Sequence, residues 1–499
     1  MPNSWSSSRL DLLLALDAAK GRRAGLESAL RTAIRQGRLA PGAPLPSTRG
    51  LARELGLSRG TVTAAYDQLA EEGHLVTRPG AATRVAALPQ PPEAAGRPSP
   101  APAGPRHDLR PGHPDVSAFP TRAWLAATRR VLPRARPDIL AAGDPQGRIE
   151  LRTALADYLG RTRGVITAPD RIVITSGYYQ GLGLLGSVLA AAGARTVAME
   201  DPGHNSYRDV VRRTGLTVLP LPVDADGART DALTRETDAA VLTPAHQYPT
   251  GVPLGARRRQ AVCAWARATG GLIVEDDYDG EFRYDRRPVG AVQGIAPDRV
   301  VHCGTASKTL GPALRLAWLV LPPRLVGAVV EAKRQADLYT ETLGQLVLAE
   351  LITTHAYDRH VRAARLRYRR RRELLLERVA ALPGHTAHGV PAGLHTLVTL
   401  PSDGPGEEVL LAACTDRGLA LRGLTELHHE PAGRPQGLLV GFAAPSDRGY
   451  PPALDALCTV LAAAAPDHPP TSTARPESSR GTGPDPRTGP GLTGRGTSA

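Results

Sequence analysis

Two stretches of the chain carry side chains able to do chemistry. Leu272-Ile-Val-Glu-Asp-Asp-Tyr-Asp279 starts as an apolar, β-branched run and ends in acids and a phenol. Val300-Val-His302 leads in the same way into Gly304-Thr-Ala-Ser-Lys-Thr-Leu310. Short continuous apolar runs read as buried parallel strands, and ligands of α/β sheets collect at the carboxyl ends of such strands. Asp276, Tyr278 and Lys308 are therefore expected at one sheet edge. An acid, a phenol and a lysine so placed match the needs of pyridoxal phosphate. The amine condenses with the aldehyde, and the carboxylate keeps the pyridine nitrogen protonated.

The composition sharpens this reading. The chain holds only three lysines, Lys20, Lys308 and Lys333, and nearly all its positive charge is arginine. A guanidinium stays protonated and cannot form that imine. Lys308 also sits among small and apolar residues. The competing interpretation is a surface lysine at a helix start, and the company of Asp276, Tyr278 and Arg315 argues against it.

The surrounding pattern must position these groups. Residues 171–175, 196–199, 239–242, 272–274, 300–302 and 316–320 read as strands separated by helical stretches. Such alternation predicts an α/β domain with a mainly parallel sheet covered by helices. An arginine-rich helix at 362–378 leads into a smaller C-terminal subdomain at about 375–465. Before this body lies a different pattern. Leu26, Leu30, Ala33 and Ile34 share one helical face. Ser47 and Ser58 stand as N-caps of two short helices, separated at Gly56. Two short helices joined by a glycine-containing turn form a helix-turn-helix, and residues 74–85 read as two strands of a wing around Pro79-Gly80.

The N-terminal segment resembles the winged helix-turn-helix of GntR-superfamily regulators. The matching residues include Leu45-Pro-Ser-Thr-Arg49, Leu55-Gly56, Ser58-Arg59, Thr61-Val62, Ala65-Tyr66, Glu72-Gly73 and Arg78-Pro79-Gly80. The resemblance implies double-stranded DNA as partner, contacted by Arg49, by Ser58, Arg59, Gly60 and Thr61 at the recognition-helix start, and by Arg78 in the wing. Recognition helices do present their N-terminal residues to base edges. Gly60 removes a side chain from a reading position, and Ala81-Ala82 replaces the more usual Ser-Gly.

The body resembles the type I aminotransferase fold, as fused in the MocR-type branch of GntR regulators. The resemblance rests on Thr175-Ser-Gly177, Glu200-Asp-Pro-Gly203, Thr243-Pro-Ala-His-Gln-Tyr-Pro-Thr-Gly251, Glu275-Asp-Asp-Tyr-Asp279, Gly304-Thr-Ala-Ser-Lys308 and Ala313-Leu-Arg315. It implies that Lys308 carries pyridoxal 5'-phosphate, Asp276 meets the ring nitrogen and Tyr278 the ring hydroxyl. Tyr248 stands where aminotransferases usually carry asparagine. Thr305 and Arg315 match phosphate ligands, joined by Gly177 and Tyr178, whose N–H groups open a helix suited to an anion. Homodimerisation with exchanged DNA-reading heads is implied as well. Three departures concern the effector: His204 replaces a common tyrosine, Ser206 stands where some relatives carry an arginine, and Leu439 stands where catalytic aminotransferases grip the substrate α-carboxylate with arginine. Arg422 offers another carboxylate contact, but the sequence does not place it.

These readings divide the 499 residues into a DNA-binding domain at 18–86, a proline-rich linker at 87–106, an aminotransferase-like domain at 107–465 and a disordered tail at 466–499. The net charge of +13 favours an acidic partner such as nucleic acid, although arginine-rich composition alone also produces it. The four cysteines are widely separated and read as small buried residues, with no disulfide frame or metal site. No secretory signal or spanning segment is evident, so the cytoplasm is expected. The favoured function is a transcription regulator whose aminotransferase-like domain senses pyridoxal phosphate or an amine reacting with it. An active aminotransferase with a regulatory head, and a regulator whose body serves only for dimerisation, are the alternatives.

Overall fold

The computed structural model describes residues 21–78, 80–87, 104–285 and 289–464. Most of the linker, the tail and Pro79 of the wing lie outside them, so the expectations for those segments have no structural counterpart here. Two compact units divide between Gly104 and Pro105.

The first unit is built on three helices, Arg22–Arg35, Thr48–Glu54 and Arg59–Glu71, and a two-stranded antiparallel wing. Leu26, Leu30, Ala33 and Ile34 are buried, as the helical spacing requires, and pack with Leu51, Val62, Tyr66 and Leu69. Both serine caps form. Ser47 Oγ accepts from Gly50 N and Ser58 Oγ from Thr61 N, each at 3.1 Å, bonds worth about 1 kcal/mol apiece. The Tyr66 hydroxyl donates to Pro46 O at 3.0 Å and ties the second long helix to the loop before the first cap.

The second unit is centred on an eight-stranded sheet. Its spatial order is Ile172–Thr175, Ala317–Val320, Val300–Thr305, Leu272–Asp276, Ala239–Leu242, Thr196–Asp201, Thr217–Asp224 and Gly227–Ala228. The middle strands run parallel, and the short last strand is antiparallel. Ala317–Val320 is antiparallel to both neighbours. The reason is length. Only residues 306–316 separate it from Val300–Thr305, and a parallel return needs a crossover of about a dozen residues or more. Lys308 therefore lies on a tight connection between two adjacent strands, which fixes where its side chain begins. Helices cover both faces of the sheet with separate apolar cores.

A second, four-stranded antiparallel sheet orders Thr386–His388, His395–Thr399, Gly437–Gly441 and Arg422–Gly423. Alternation along its third strand decides two environments at once. Leu438 and Val440 enter the core with Leu375, Leu410 and Leu457, while Leu439 turns the other way, toward Tyr248 and Tyr278. The arginine-rich helix spans Ala356–Ala380, longer than its charged stretch, because Tyr357, Val361, Ala364, Tyr368 and Leu375 give it a buried stripe. Among the described residues no helix is long and apolar enough to cross a membrane, no acid, histidine or cysteine cluster is arranged for a metal, and all four cysteines are free.

Candidate functional site

The carboxyl ends of the central strands open into a cavity of about 170 Å³ whose wall includes Lys308, Asp276, Tyr278 and Tyr248. The sheet explains the grouping. Asp276 ends its strand directly beside Cys303, three residues before the Lys308 connection starts. Lys308 Nζ donates to Gly112 O at 2.8 Å. Burial pushes the amine below its usual value, with Asp276 and Asp279 opposing, which favours the free-base form that attacks a carbonyl.

Asp276 is buried and faces the cavity. Burial pushes its carboxyl well above the usual range, against the pull of Lys308. The buried Tyr178 hydroxyl lies near Asp276, and burial followed by that acid's charge raises it. A buried acid lacking a strong cationic partner is costly unless something positive completes it. A protonated ring nitrogen meets that need.

Tyr278 is fixed from behind. Its hydroxyl donates to the His246 carbonyl at 3.1 Å and lies 3.1 Å from His246 Nδ1, which is 2.9 Å from Asp279 Oδ2. The adjoining Asp277 is locked by Arg163 in a two-bond pair of 2.6 and 2.7 Å, both side chains being buried. The Arg163 guanidinium holds the Asp277 carboxyl below the usual range despite burial. Thus the Asp276–Asp279 turn is pinned on both sides.

Thr305, Arg315, Gly177 and Tyr178 gather in a second group next to the cavity wall. Arg315 donates to the Ser176 carbonyl. Thr305 Oγ1 lies 3.0 Å from Ser307 Oγ and accepts from Ser307 N at 3.1 Å. Gly177 caps the helix Tyr178–Ala191 at φ 99°. A Cβ there would stand 2.5 Å from the Arg315 guanidinium, so only glycine lets the arginine close over the helix N-terminus. Hydroxyls, a guanidinium and helix-start N–H groups are the donors that a cup suited to an anion needs. The acid, the lysine and this cup together fit pyridoxal phosphate.

In the first unit, Arg49, Ser58, Arg59, Gly60 and Arg78 are exposed. None of the three arginines is paired with a carboxylate among the described residues. Ser58 Oγ also lies 2.8 Å from Thr61 Oγ1, so both hydroxyls serve the helix start before any DNA contact. No side chain stands near the position a Gly60 Cβ would take, apart from Ser58 at 3.9 Å. The helix start thus exposes its backbone at Gly60 beside the Arg59 guanidinium, which has no carboxylate partner among the described residues.

Residues 23–85 match the gntR family of bacterial regulatory proteins, and residues 108–457 match aminotransferase class I and II. The chain is 33% identical over 421 residues to the HTH-type pyridoxine biosynthesis transcriptional regulator PdxR of Corynebacterium glutamicum, spanning 84% of this chain and 91% of that one. It is 32% identical over 462 residues to the probable rhizopine catabolism regulatory protein MocR of Rhizobium meliloti, spanning 87% and 92%. The chain belongs to the MocR-type regulators of the GntR family. Its fold is also that of Pyrococcus horikoshii kynurenine aminotransferase, with a TM-score of 0.64 at 23% identity over 71% of this chain and 90% of that one. Class I and II aminotransferases as a family depend on pyridoxal phosphate.

Within this MocR-type chain several site residues escape sequence reasoning. Ser176 and Ser307 stand inside quoted motifs, and only the structure sets Ser307 against Thr305 and the Ser176 carbonyl against Arg315. His246 and Asp279 stand behind Tyr278. His204 stacks on Tyr207 at 3.8 Å between ring centroids, and both rings line the cavity. Ser206 bonds back to Asn205 through its backbone N–H, while Arg208, two residues on, lines the cavity and donates to the Leu427 and His428 carbonyls.

Proposed function

We propose that this chain is a DNA-binding transcription regulator whose second unit binds pyridoxal 5'-phosphate on Lys308 and reports the state of that site to the winged helix-turn-helix. The observation that carries the proposal is the pairing, in one chain, of Lys308 and Asp276 on one cavity wall with an N-capped recognition helix that begins at the exposed Arg59. The relatives named as HTH-type regulators support it.

When bound, the cofactor supplies an aldehyde that condenses with amines and an electron-poor ring. The chain's own part is to place and tune it. Lys308, lowered by burial, provides the attachment amine. Asp276 would accept a proton-bearing ring nitrogen, and Tyr278, braced by His246, would meet the ring hydroxyl. Thr305, Ser307, Arg315 and the Gly177–Tyr178 N–H groups would hold the phosphate. Tyr248, a buried phenol pushed up to about 12 by burial, stays neutral and closes one side of the cavity.

The regulator works in this reading as a homodimer. Leu132, Leu140, Leu338 and Tyr339 are large apolar side chains of the second unit left exposed, a cost that a second copy of the chain would remove. Two heads then read two half-sites, spaced by about 34–36 Å or a multiple along the duplex. The test is binding to the DNA upstream of the protein's own coding region, by fluorescence anisotropy. Salt-dependent, sequence-selective binding is expected. Binding no tighter than to unrelated DNA of the same length would overturn the regulator reading.

A further inference from the structure

The cavity has a cation that the cofactor does not use. Leu397, Leu439 and Arg422 are paired in line across three adjacent strands. Directly opposed residues in antiparallel strands share a face. The two leucines are buried against Tyr248 and Tyr278. Arg422 ends the row, with its side chain 25% exposed, and lines the same cavity as Lys308.

Its guanidinium is held by Asn205 and Glu426, with the Tyr248 hydroxyl bonded beside them. Nη2 donates to Asn205 Oδ1 at 2.9 Å, and Nε donates to Glu426 Oε1 at 2.5 Å. Glu426 is its one carboxylate partner among the described residues, and that side chain is 48% exposed. The carboxyls deeper in the cavity do not neutralise it. Burial raises Glu200 toward its uncharged form, and in the Lys308 reading the Asp276 charge is taken up by the ring nitrogen.

We propose that Arg422 exchanges the Glu426 carboxylate for that of a small effector, so that the cavity selects amino carboxylates over amines that lack an acid. Preference for an amine rests on the reading of Lys308 as the cofactor site; the carboxylate contact itself does not. The exchange conserves charge. Glu426 already reaches water and returns to it at small cost, while Asn205 keeps the guanidinium oriented. A planar guanidinium offers two parallel donors to one carboxylate, which gives direction as well as strength. The row of leucines beside it supplies an apolar floor that a neutral amine cannot use to compensate for the missing acid contact. The site thereby sets effector class from a strand neighbouring Leu439.

The experiment compares matched probes on the full chain loaded with pyridoxal phosphate: β-alanine against propylamine, and L-alanine against ethylamine, read by the shift of the cofactor's absorbance. In the parent, each acid-bearing probe is expected to bind at least about ten-fold tighter than its partner, the weight of a charge-assisted bond. Arg422→Leu is expected to remove that preference and leave the plain amines unchanged. Glu426→Gln is expected to tighten the acid-bearing probes several-fold with no effect on the plain amines, a gain that a merely structural role for the pair does not produce. Equal binding of acid and amine by the parent, or equal losses for both in Arg422→Leu, would overturn the proposal, as would a Glu426→Gln chain that behaves like the parent. Succinate binding by calorimetry on the cofactor-free chain separates the two readings. If no cofactor absorbance forms, the Lys308 reading fails, and the Arg422 contact is then supported by succinate binding that Arg422→Leu abolishes and overturned by its absence in the parent.

Discussion

Glu200 offers a sharp electrostatic test of the cavity. Its carboxyl is 7% exposed and accepts from Thr243 N at 3.2 Å, from Thr243 Oγ1 and from Gln247 Nε2 at 3.2 Å, all neutral donors. Burial outweighs these bonds and raises its pKa from 4.5 to about 7. The folded chain therefore holds a proton there that the unfolded chain has released. Below pH 4.5 both states are protonated and the group carries no penalty. As pH rises from 4.5 through 7 the ionised form becomes the reference for the unfolded chain, and stability falls. The gap converts, at 1.36 kcal/mol per pH unit, to about 3 kcal/mol lost by pH 8. Glu200→Gln removes the titration. It also turns an amide N–H₂ toward the Gln247 donor, which costs a fixed amount at every pH. The assay is urea unfolding of the full chain and of the variant at pH 5 and pH 8, followed by the fluorescence of Trp318, buried in the same sheet. The parent should lose about 2.5 kcal/mol more than the variant between the two pH values, the rest having been lost already by pH 5. Parallel pH profiles for the two proteins would refute the argument that burial, rather than hydrogen bonding, governs this carboxyl.

Three further outcomes are expected. Arg59→Ala and Arg49→Ala should each weaken binding to the upstream DNA, by about 1–3 kcal/mol of discrimination if the arginine reads a base, or uniformly with a shallower salt dependence if it meets a phosphate; anisotropy titrations at several salt concentrations distinguish these, and the cofactor's absorbance should not change. Arg163→Ala leaves Asp277 buried without its guanidinium partner, with only His302 3.8 Å away among side chains in ion-pair range, so unfolding should cost about 3 kcal/mol less, and because the folded pKa of Asp277 is depressed, the parent's own advantage from this pair should fade as pH drops below the ordinary carboxylate range. Finally, with Leu439 packed against Tyr248 and Tyr278 instead of gripping an α-carboxylate, sustained conversion of amino and keto acids should be slow; a coupled assay showing turnover near ~10 per second would promote the aminotransferase alternative.

Much of this molecule is readable from local pattern. The apolar runs at 272–274 and 300–302 name strands that the structure extends to Asp276 and Thr305, and the serine caps name the helix starts, because both signals lie within a few residues. Lys308 stands out through scarcity of lysine, and Asp276 through its place at the end of a strand. The rest depends on contacts between distant segments. Arg163 reaches Asp277 across 114 residues, and no periodicity announces that pairing. The direction of Ala317–Val320 follows from the shortness of a connection that an apolar run does not reveal. Arg422 is the clearest case. Its neighbours in sequence are unremarkable, and only its register with Leu439 turns it toward Lys308.

The central claim is that the Lys308 site and the DNA-reading helix act as one device. The direct measurement is the affinity of the full chain for its upstream DNA, with and without pyridoxal phosphate, for the parent and for Lys308→Ala. A cofactor-dependent change of about five-fold or more in the parent, absent in Lys308→Ala, is the predicted result. Tight DNA binding by the parent that is the same with and without the cofactor would contradict it.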